Sequence, residues 1–159
     1  MRAALVHAAL EPARLLAEVS APKHGASIVF VGTVREVNDG RTVTGIDYSA
    51  YVAMARRELD AILAECALRF NTDHLVVEHR LGTLAVGEAS VAIAVAHERR
   101  GGAYEASRFI IEELKRRVPI WKREHYTDGT REWVDPTRVA SGPPPPHSTT
   151  SSAPAEAAR

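Results

Sequence analysis

Residues 26–51, ASIVFVGTVREVNDGRTVTGIDYSAY, decide the fold that the sequence predicts. Residues 26–34 form a predominantly apolar run, which is typical of a buried β-strand. Residues 42–51 alternate apolar and polar side chains, and this pattern indicates a half-buried strand. The Asn-Asp-Gly sequence at 38–40 consists of residues that favour a tight turn. The stretch therefore predicts two strands joined by a turn.

The same order of elements follows a second time along the chain. Apolar residues at helical spacing predict a helix over residues 53–70. Residues 74–80 (HLVVEHR) and 89–97 (ASVAIAVAH) predict two more strands, with the turn GTLAVGE between them. A second helix is predicted over residues 103–118, and Pro119 ends it because proline disfavours helical geometry in the preceding residue.

Two strand-strand-helix units indicate an α+β fold with two layers. In this arrangement the helices cover one face of a mainly antiparallel sheet. Residues 121–134, WKREHYTDGTREWV, add a predicted hairpin that turns at Asp128-Gly129. The N-terminal residues predict a short strand and a helix that begins near Pro12, because proline is favoured in the first turn of a helix.

The length and composition indicate one domain followed by a tail. Residues 1–140 of the 159-residue chain suit a single globular domain with a hydrophobic core. Residues 141–159, SGPPPPHSTTSSAPAEAAR, contain no large apolar side chain and predict a disordered tail. We therefore expect the functional residues to lie in the first 140.

Charge and cysteine content exclude several classes of protein. A formal net charge of zero argues against a general polyanion binder, which is usually basic overall. The single cysteine, Cys66, excludes an intramolecular disulfide and a thiolate-rich zinc site. No apolar run approaches the roughly 20 residues that span a bilayer. These features predict a soluble, cytoplasmic protein without a membrane partner.

Residues 112–126, EELKRRVPIWKREHY, gather five cations around one proline. Cations in the last turn of a helix commonly complement the helix dipole, so Lys115 has an ordinary structural interpretation. The alternative is a local anion site, in which Lys115 and Lys122 are partly desolvated by neighbours such as Trp121. Partial desolvation makes an ammonium group usable as an acid, base or nucleophile. An RNA-binding surface is a third interpretation, which zero net charge disfavours.

Two strand ends carry further candidates for anion binding. Arg35 follows the first strand, and its guanidinium group either lies on the surface or binds a phosphate or carboxylate. His97, Arg99 and Arg100 stand where the fourth strand leads into the second helix, a place where anions can bind. A packed strand-end histidine is the favoured interpretation of His97. The histidines and the cysteine show no metal-ligand spacing, so no metal site is predicted.

The chain resembles the MoaE family, the large catalytic subunits of molybdopterin synthase. The similarity is carried by GASIVFVGTVRE, HRLGTLAVGE, AYEASRFIIEELK and above all LKRRVPIWKRE. The resemblance implies an α/β hammerhead-type fold with an added antiparallel sheet, in a homodimer within a heterotetramer. It also implies a small ubiquitin-like sulfur carrier whose C-terminal Gly-Gly thiocarboxylate delivers sulfur to cyclic pyranopterin monophosphate. No cofactor and no nucleic acid are implied.

The resemblance assigns roles to particular residues of this sequence. The two active-site lysines of the family fall on Lys115 and Lys122, which are therefore the expected catalytic residues. The arginine at the end of the first strand falls on Arg35, and the arginine of a His-Arg pair falls on Arg100. Both arginines are expected to bind the substrate phosphate or to orient the carrier tail.

The sequence departs from the family pattern at the His-Arg pair. Arg99 stands where the histidine is usual, and His97 lies two residues upstream. Either His97 substitutes from a shifted position or Arg99 performs the binding part of the role. A further family arginine comes from the partner subunit, and Arg138 is the nearest candidate for it.

The Arg99 replacement leaves a second functional hypothesis open. A non-catalytic paralogue could bind the ubiquitin-like sulfur carrier as a scaffold. Both lysines, Arg35 and Trp121 are retained, and this argues for the catalytic hypothesis.

Overall fold

A computed structural model describes residues 1–134, which form two β-sheets and three α-helices. The predicted tail at 141–159 and the predicted domain boundary at residue 140 lie outside the described residues. In chain order the elements are β1 (Arg2–Val6), α1 (Pro12–Val19), β2 (Ala26–Thr33), β3 (Val37–Asn38), β4 (Arg41–Ala50), α2 (Val52–Phe70), β5 (Leu75–Arg80), β6 (Gly82–Ala85), β7 (Ala89–His97), α3 (Arg100–Arg117), β8 (Ile120–Tyr126) and β9 (Arg131–Val134). The predicted α+β class and the predicted helices are confirmed.

The first sheet has helices on both of its faces. Its strand order is β1-β5-β7-β2, with β1 and β5 parallel and the other neighbours antiparallel. Ile62 of α2 and Ile110 of α3 pack against Ile93 on one face, whereas Leu15 of α1 packs against Ala94 on the other. The expectation that all helices lie on one face is wrong for α1. The inner residues of β7 are buried on both faces, so each face needs a covering helix.

The second sheet contains a strand that the sequence analysis took for a turn. Its order is β3-β4-β8-β9, and β6 also pairs with β4. Gly82 begins β6 and Gly87 follows it, with positive φ angles of 95° and 86°, which glycine adopts without strain. Leu84 of β6 is buried against Ile46 and Tyr126 and anchors the core of this sheet. The strands β2 and β4, predicted as one unit, thus belong to different sheets.

Strand β2 is an edge strand, and the prediction that it is buried is wrong. It pairs only with β7 within the described residues, and its side chains alternate between half-buried and exposed positions. Phe30 is 38 % exposed. An apolar run of this kind cannot distinguish a central strand from an edge strand, because pairing is decided by distant parts of the chain.

The junction of α3 and β8 positions the two lysines of residues 112–126. Val118 follows α3 with extended geometry (φ −78°, ψ 123°), and its N–H donates to the carbonyl of Leu114 at 3.0 Å. Pro119 then separates the helix from β8, as the sequence predicts. Lys115 therefore lies in the last turn of α3, and Lys122 lies on the adjoining strand.

Two leucines of α2 provide a matched test of the core. Leu63 is 1 % exposed and belongs to the main core, whereas Leu68 is 87 % exposed. We expect Leu63→Ala to lower the free energy of unfolding by about 2–5 kcal/mol, because it empties a packed position. Leu68→Ala should change it by less than about 0.5 kcal/mol. Urea denaturation measures both values, and equal losses would contradict this assignment of the core.

Candidate functional site

A cavity of about 430 Å³ lies where the open edge of the first sheet, the second sheet and the end of α3 meet. Arg35, Lys115 and Lys122 all line it, although they are distant in sequence. Gly32 of β2 and Tyr48 of β4 contribute to the walls between them. The structure thus brings three of the predicted site residues together around one concave surface.

The cations of residues 115–123 are not equivalent. Four of the five pair with carboxylates: Arg116 with Glu113, Arg117 with Glu58, Glu65 and Glu113, Lys122 with Glu124, and Arg123 with Asp47. The side chain of Lys115 makes no ion pair or hydrogen bond to any other residue among 1–134. The stretch is therefore a set of local ion pairs with one uncommitted ammonium group, rather than a basic surface for RNA.

Glu124 holds Lys122 in place inside the cavity. Only 1 % of Glu124 is exposed, and its carboxylate accepts hydrogen bonds from Lys122 Nζ at 2.8 Å and from Tyr126 OH at 2.7 Å. Asn38 Nδ2 donates to both carboxylate oxygens, at 3.1 and 3.0 Å. Burial acts to raise the pKa of Glu124, but these hydrogen bonds and the charge of Lys122 outweigh it and hold the pKa below its ordinary value.

Arg35 is connected to the same carboxylate through Asn38. One guanidinium nitrogen of Arg35 donates to Asn38 Oδ1 at 3.1 Å, while the amide nitrogen of Asn38 contacts Glu124. Arg35 is otherwise exposed to solvent on the cavity wall. A continuous hydrogen-bonded chain therefore runs from Arg35 through Asn38 and Glu124 to Lys122.

The sequence analysis missed Glu124, Asn38 and His79 as site residues. One available signal was spacing, because Lys122 and Glu124 are two residues apart and therefore share one face of a strand. Asn38 was assigned only to the turn, although its side chain bridges to a residue 86 positions away. His79 is the last but one residue of β5, and the apolar pattern does not reveal that this position is buried.

His79 is a buried histidine in the cavity wall. It is 5 % exposed, and its ring meets the Tyr48 ring edge to face with centroids 5.2 Å apart. Nδ1 lies 3.0 Å from the carbonyl oxygen of Arg80, which can only accept, so Nδ1 carries the proton. Burial lowers the pKa of His79 to about 4, and the ring is therefore neutral near pH 7.

The burial of His79 predicts a dependence of stability on pH. The unfolded chain protonates this ring below about pH 6.5, while the folded chain does so only near 4. The unfolded state therefore binds more protons in this window, and the free energy of unfolding should fall by about 3 kcal/mol as the pH decreases through it. Urea denaturation at pH 7 and 4.5 should show a weaker dependence in His79→Gln than in the parent. The same dependence in both proteins would contradict the assignment.

The remaining predicted residues do not line this cavity. His97 is packed between helix ends: Nε2 donates to the carbonyl of Phe70 at 2.9 Å, and Nδ1 accepts from the N–H of Arg99 at 2.9 Å. The favoured interpretation of His97 as a packed residue agrees with this geometry. Arg99 and Arg100 stand at the start of α3, about 22 Å along its axis from Lys115. Arg138 lies outside the described residues.

Two further observations concern residues 1–134. No helix there combines the length and the hydropathy needed to cross a bilayer. No three histidine, cysteine or acidic side chains of this part of the chain come together in a group that could hold a metal ion.

Several known proteins are similar to this chain in sequence or in fold. The molybdopterin synthase catalytic subunit of Emericella nidulans is 40 % identical over 129 residues, which cover 81 % of this chain and 66 % of that relative. The crystal structure of molybdopterin synthase from Staphylococcus aureus matches with a TM-score of 0.76 and 31 % identity, covering 82 % of this chain and 94 % of that one. A complex of subunits 1 and 2 of molybdopterin-converting factor from Helicobacter pylori matches with a TM-score of 0.65 and 25 % identity, covering 81 % and 87 %.

The family model described as MoaE protein matches residues 5–117, which is most of the chain. The match includes β2, α3 and Lys115, and so contains much of the cavity wall. Together with the similarity in fold and sequence, it identifies the family: the chain belongs to the MoaE family.

Proposed function

We propose that this protein is the catalytic subunit of molybdopterin synthase. It would transfer sulfur from the C-terminal thiocarboxylate of a small carrier subunit to cyclic pyranopterin monophosphate, forming the dithiolene of molybdopterin. The observation that carries the proposal is the convergence of Lys115, Lys122 and Arg35 on one cavity. The names of the Emericella and Staphylococcus relatives support the same activity, and this activity makes the protein a sulfurtransferase.

Lys115 is the residue proposed to act at the acyl group of the carrier. Its ammonium group is exposed on the cavity wall and uncommitted to any carboxylate among residues 1–134. Once the carrier's sulfur has bonded to the pterin, water can add to the acyl carbon; a cation there can stabilise the negative charge that develops on the carbonyl oxygen, and the acyl–sulfur bond then breaks with the sulfur kept by the pterin and a carboxylate left on the carrier. As a deprotonated amine Lys115 can instead trap the acyl group. Trapping requires an amine, and charge stabilisation requires a compact cation whose place the planar head of an arginine does not occupy.

Lys122 is proposed to exchange protons with the pterin ring. Its Nζ is held in position by the hydrogen bond that it donates to Glu124, and this restricts the directions in which its other two protons can point. A positioned ammonium group next to a buried carboxylate can donate a proton to the substrate and recover it later. In this scheme Glu124 positions Lys122 and does not itself contact the substrate.

Arg35 is proposed to bind the phosphate of the pterin, because a guanidinium group matches phosphate geometry. We expect Arg35→Ala to weaken binding of cyclic pyranopterin monophosphate by about ten- to a hundredfold, the effect of losing charge-assisted hydrogen bonds. Binding of the carrier should change less than binding of the pterin. Titration calorimetry with both ligands measures the two affinities, and Arg57→Ala on α2 serves as a surface control. Equal losses for both ligands would place Arg35 at the protein interface instead.

The proposed partners include a second copy of this chain. Arg99 and Arg100 lie about 22 Å from Lys115 along α3, too far to reach the cavity of their own protomer. A homodimer within a heterotetramer would allow one copy to supply these arginines to the other. Light scattering of the purified chain measures the copy number, and a stable monomer at assay concentrations would contradict this part of the proposal. The cytoplasmic location expected from the sequence stays a prediction.

The scaffold hypothesis predicts a different binding behaviour from the catalytic one. A scaffold binds a Gly-Gly-tailed carrier and has no need of a pterin site. The catalytic hypothesis requires the chain to bind both the carrier and cyclic pyranopterin monophosphate. Calorimetric titration of the parent with each ligand separates the two, since carrier binding without pterin binding would favour the scaffold. The Helicobacter complex of two subunits supports a small-subunit partner under either hypothesis.

A further inference from the structure

The cavity wall contains a hydrogen-bond acceptor that the proposed mechanism does not use. His79 Nδ1 donates its proton to the carbonyl of Arg80, so Nε2 carries a lone pair. Nε2 makes no hydrogen bond to any residue within 1–134, although the ring lies in the cavity wall and is almost fully buried. It is not one of the fully enclosed polar atoms that lack a partner in this part of the chain, so Nε2 keeps some exposure to the cavity and a ligand can reach it.

The other charged groups that line the cavity offer a ligand few hydrogen-bond acceptors. In their cationic forms, Arg35, Lys115 and Lys122 donate hydrogen bonds and accept none. Glu124 already accepts four hydrogen bonds from Asn38, Lys122 and Tyr126, and it has no capacity left for a ligand. The other carboxylate of the wall belongs to a residue of the β3–β4 turn, where water can solvate it. His79 Nε2 is therefore a neutral ring acceptor in the wall to which no residue of 1–134 donates a hydrogen bond.

We propose that His79 Nε2 accepts a hydrogen bond from an N–H group of the pterin ring and so orients the heterocycle in the cavity. This inference rests on the proposed function. A pterin carries neutral ring N–H and amino groups at one end and, in this substrate, a phosphate at the other. The cavity offers partners for both ends, because cations and a neutral acceptor line the same wall. In this arrangement Arg35 binds the phosphate of the substrate and His79 binds its pterin ring.

The aromatic surroundings favour a flat ring over the amide groups of the carrier tail. The ring planes of His79 and Tyr48 make an angle of 70° with each other. A planar heterocycle can pack against the corner that the two rings form. Ser90, which also lines the wall, donates its hydroxyl to the carbonyl of Gly32, and its oxygen can accept from a pterin or from a tail amide alike, so it favours neither ligand. His79 is therefore assigned to the pterin, and a role in holding the tail is the competing outcome of the test.

The experiment compares three probes in the full-length parent and in His79→Phe, which keeps an aromatic ring and removes the acceptor. The probes are cyclic pyranopterin monophosphate, inorganic phosphate and a carrier that ends in Gly-Gly. We expect the variant to bind the pterin about ten- to a hundredfold more weakly and to bind phosphate and carrier as the parent does. His79→Gln, whose amide oxygen can accept, should recover part of the pterin affinity.

Each other outcome overturns a specific statement. Unchanged pterin affinity in His79→Phe overturns the inference, and so does a loss confined to the carrier, which would assign the ring to the tail. A parent that binds no pterin overturns the proposed function and this inference with it. If the parent binds the pterin and both His79 variants bind it as tightly as the parent does, the inference is overturned and the proposed function is not.

A measurement on the unaltered protein covers the case in which His79→Phe does not fold. Nitrogen-15 labelling of the seven histidines, with His79→Gln used to assign the signal, reports the state of Nε2 directly. Accepting a hydrogen bond shifts the resonance of an unprotonated ring nitrogen, by less than protonation does. We expect the Nε2 signal of His79 to shift when the pterin is added and not when inorganic phosphate is added. A signal that the pterin leaves in place overturns the inference.

Discussion

Lys115→Arg should fold, bind the carrier and lose product formation by roughly a hundred- to ten-thousandfold. The cationic charge is retained at the end of α3, so an interaction with the helix dipole would survive the change. An arginine cannot release its proton at physiological pH, and its planar head does not occupy the place of an ammonium group. The next two residues are already arginines, so no adjacent amine can replace the lost one.

The control for this variant lies on the same turn of helix. Arg116 is exposed and pairs with Glu113 outside the cavity wall, so Arg116→Lys should leave dithiolene yield within a few-fold of the parent. Dithiolene yield is measured after reaction with thiocarboxylated carrier and pterin, and melting curves establish that each variant is folded. A yield in Lys115→Arg close to that of the parent would return Lys115 to the role of a helix-end cation.

Glu124→Gln is expected to lower product formation by about ten- to a hundredfold and stability by about 1–3 kcal/mol. The amide has one acceptor oxygen where the carboxylate has two, and its NH₂ group faces donors from Lys122, Asn38 and Tyr126. At least one buried donor is therefore left unsatisfied. Lys122 also loses the charge that fixes its position, which accounts for the expected loss of activity.

A second glutamate provides the control for Glu124. Glu132 on β9 pairs with Arg41 and is more than half exposed, and exposed ion pairs contribute little to stability. Glu132→Gln should therefore change the free energy of unfolding by less than about 0.5 kcal/mol and leave product formation near that of the parent. If Glu124→Gln behaves in the same way, the hydrogen-bonded chain from Arg35 to Lys122 has no functional role.

Local signals in the sequence predict most elements of the fold. The helical spacing of α2 and α3, Pro119 after α3 and Asp128-Gly129 between β8 and β9 each act within a few residues, and the structure agrees with them. The placement of Lys115 and Lys122 around one proline follows from the same local rules. The amino-acid sequence is therefore sufficient to predict that Lys115 and Lys122 lie on adjoining elements, one on each side of Pro119.

The errors in the sequence analysis concern pairings between distant parts of the chain. Strand β2 is an apolar run, yet it lies at an edge because β7 is its only neighbour within residues 1–134. Strand β6 has four residues and is defined by its pairing with β4, so local propensity indicated only a turn. Glu124 reaches Asn38 across 86 residues of sequence, and no periodicity encodes that contact.

The two histidines at strand ends show the same limit. His97 ends β7 and His79 precedes the last residue of the neighbouring β5, yet His97 is hydrogen-bonded to Phe70 and Arg99, whereas His79 lines the cavity. The difference arises from the orientation of each strand end relative to α3. It could not be inferred from spacing alone.

The most direct test of the proposed function is a single-turnover reaction of the purified chain with thiocarboxylated carrier and cyclic pyranopterin monophosphate, followed by mass spectrometry of the pterin. The proposal predicts a pterin that carries two sulfur atoms as a dithiolene, formed with the parent and almost absent with Lys115→Arg. A pterin that gains no sulfur in the presence of the parent, while the carrier is bound and keeps its thiocarboxylate, would contradict it.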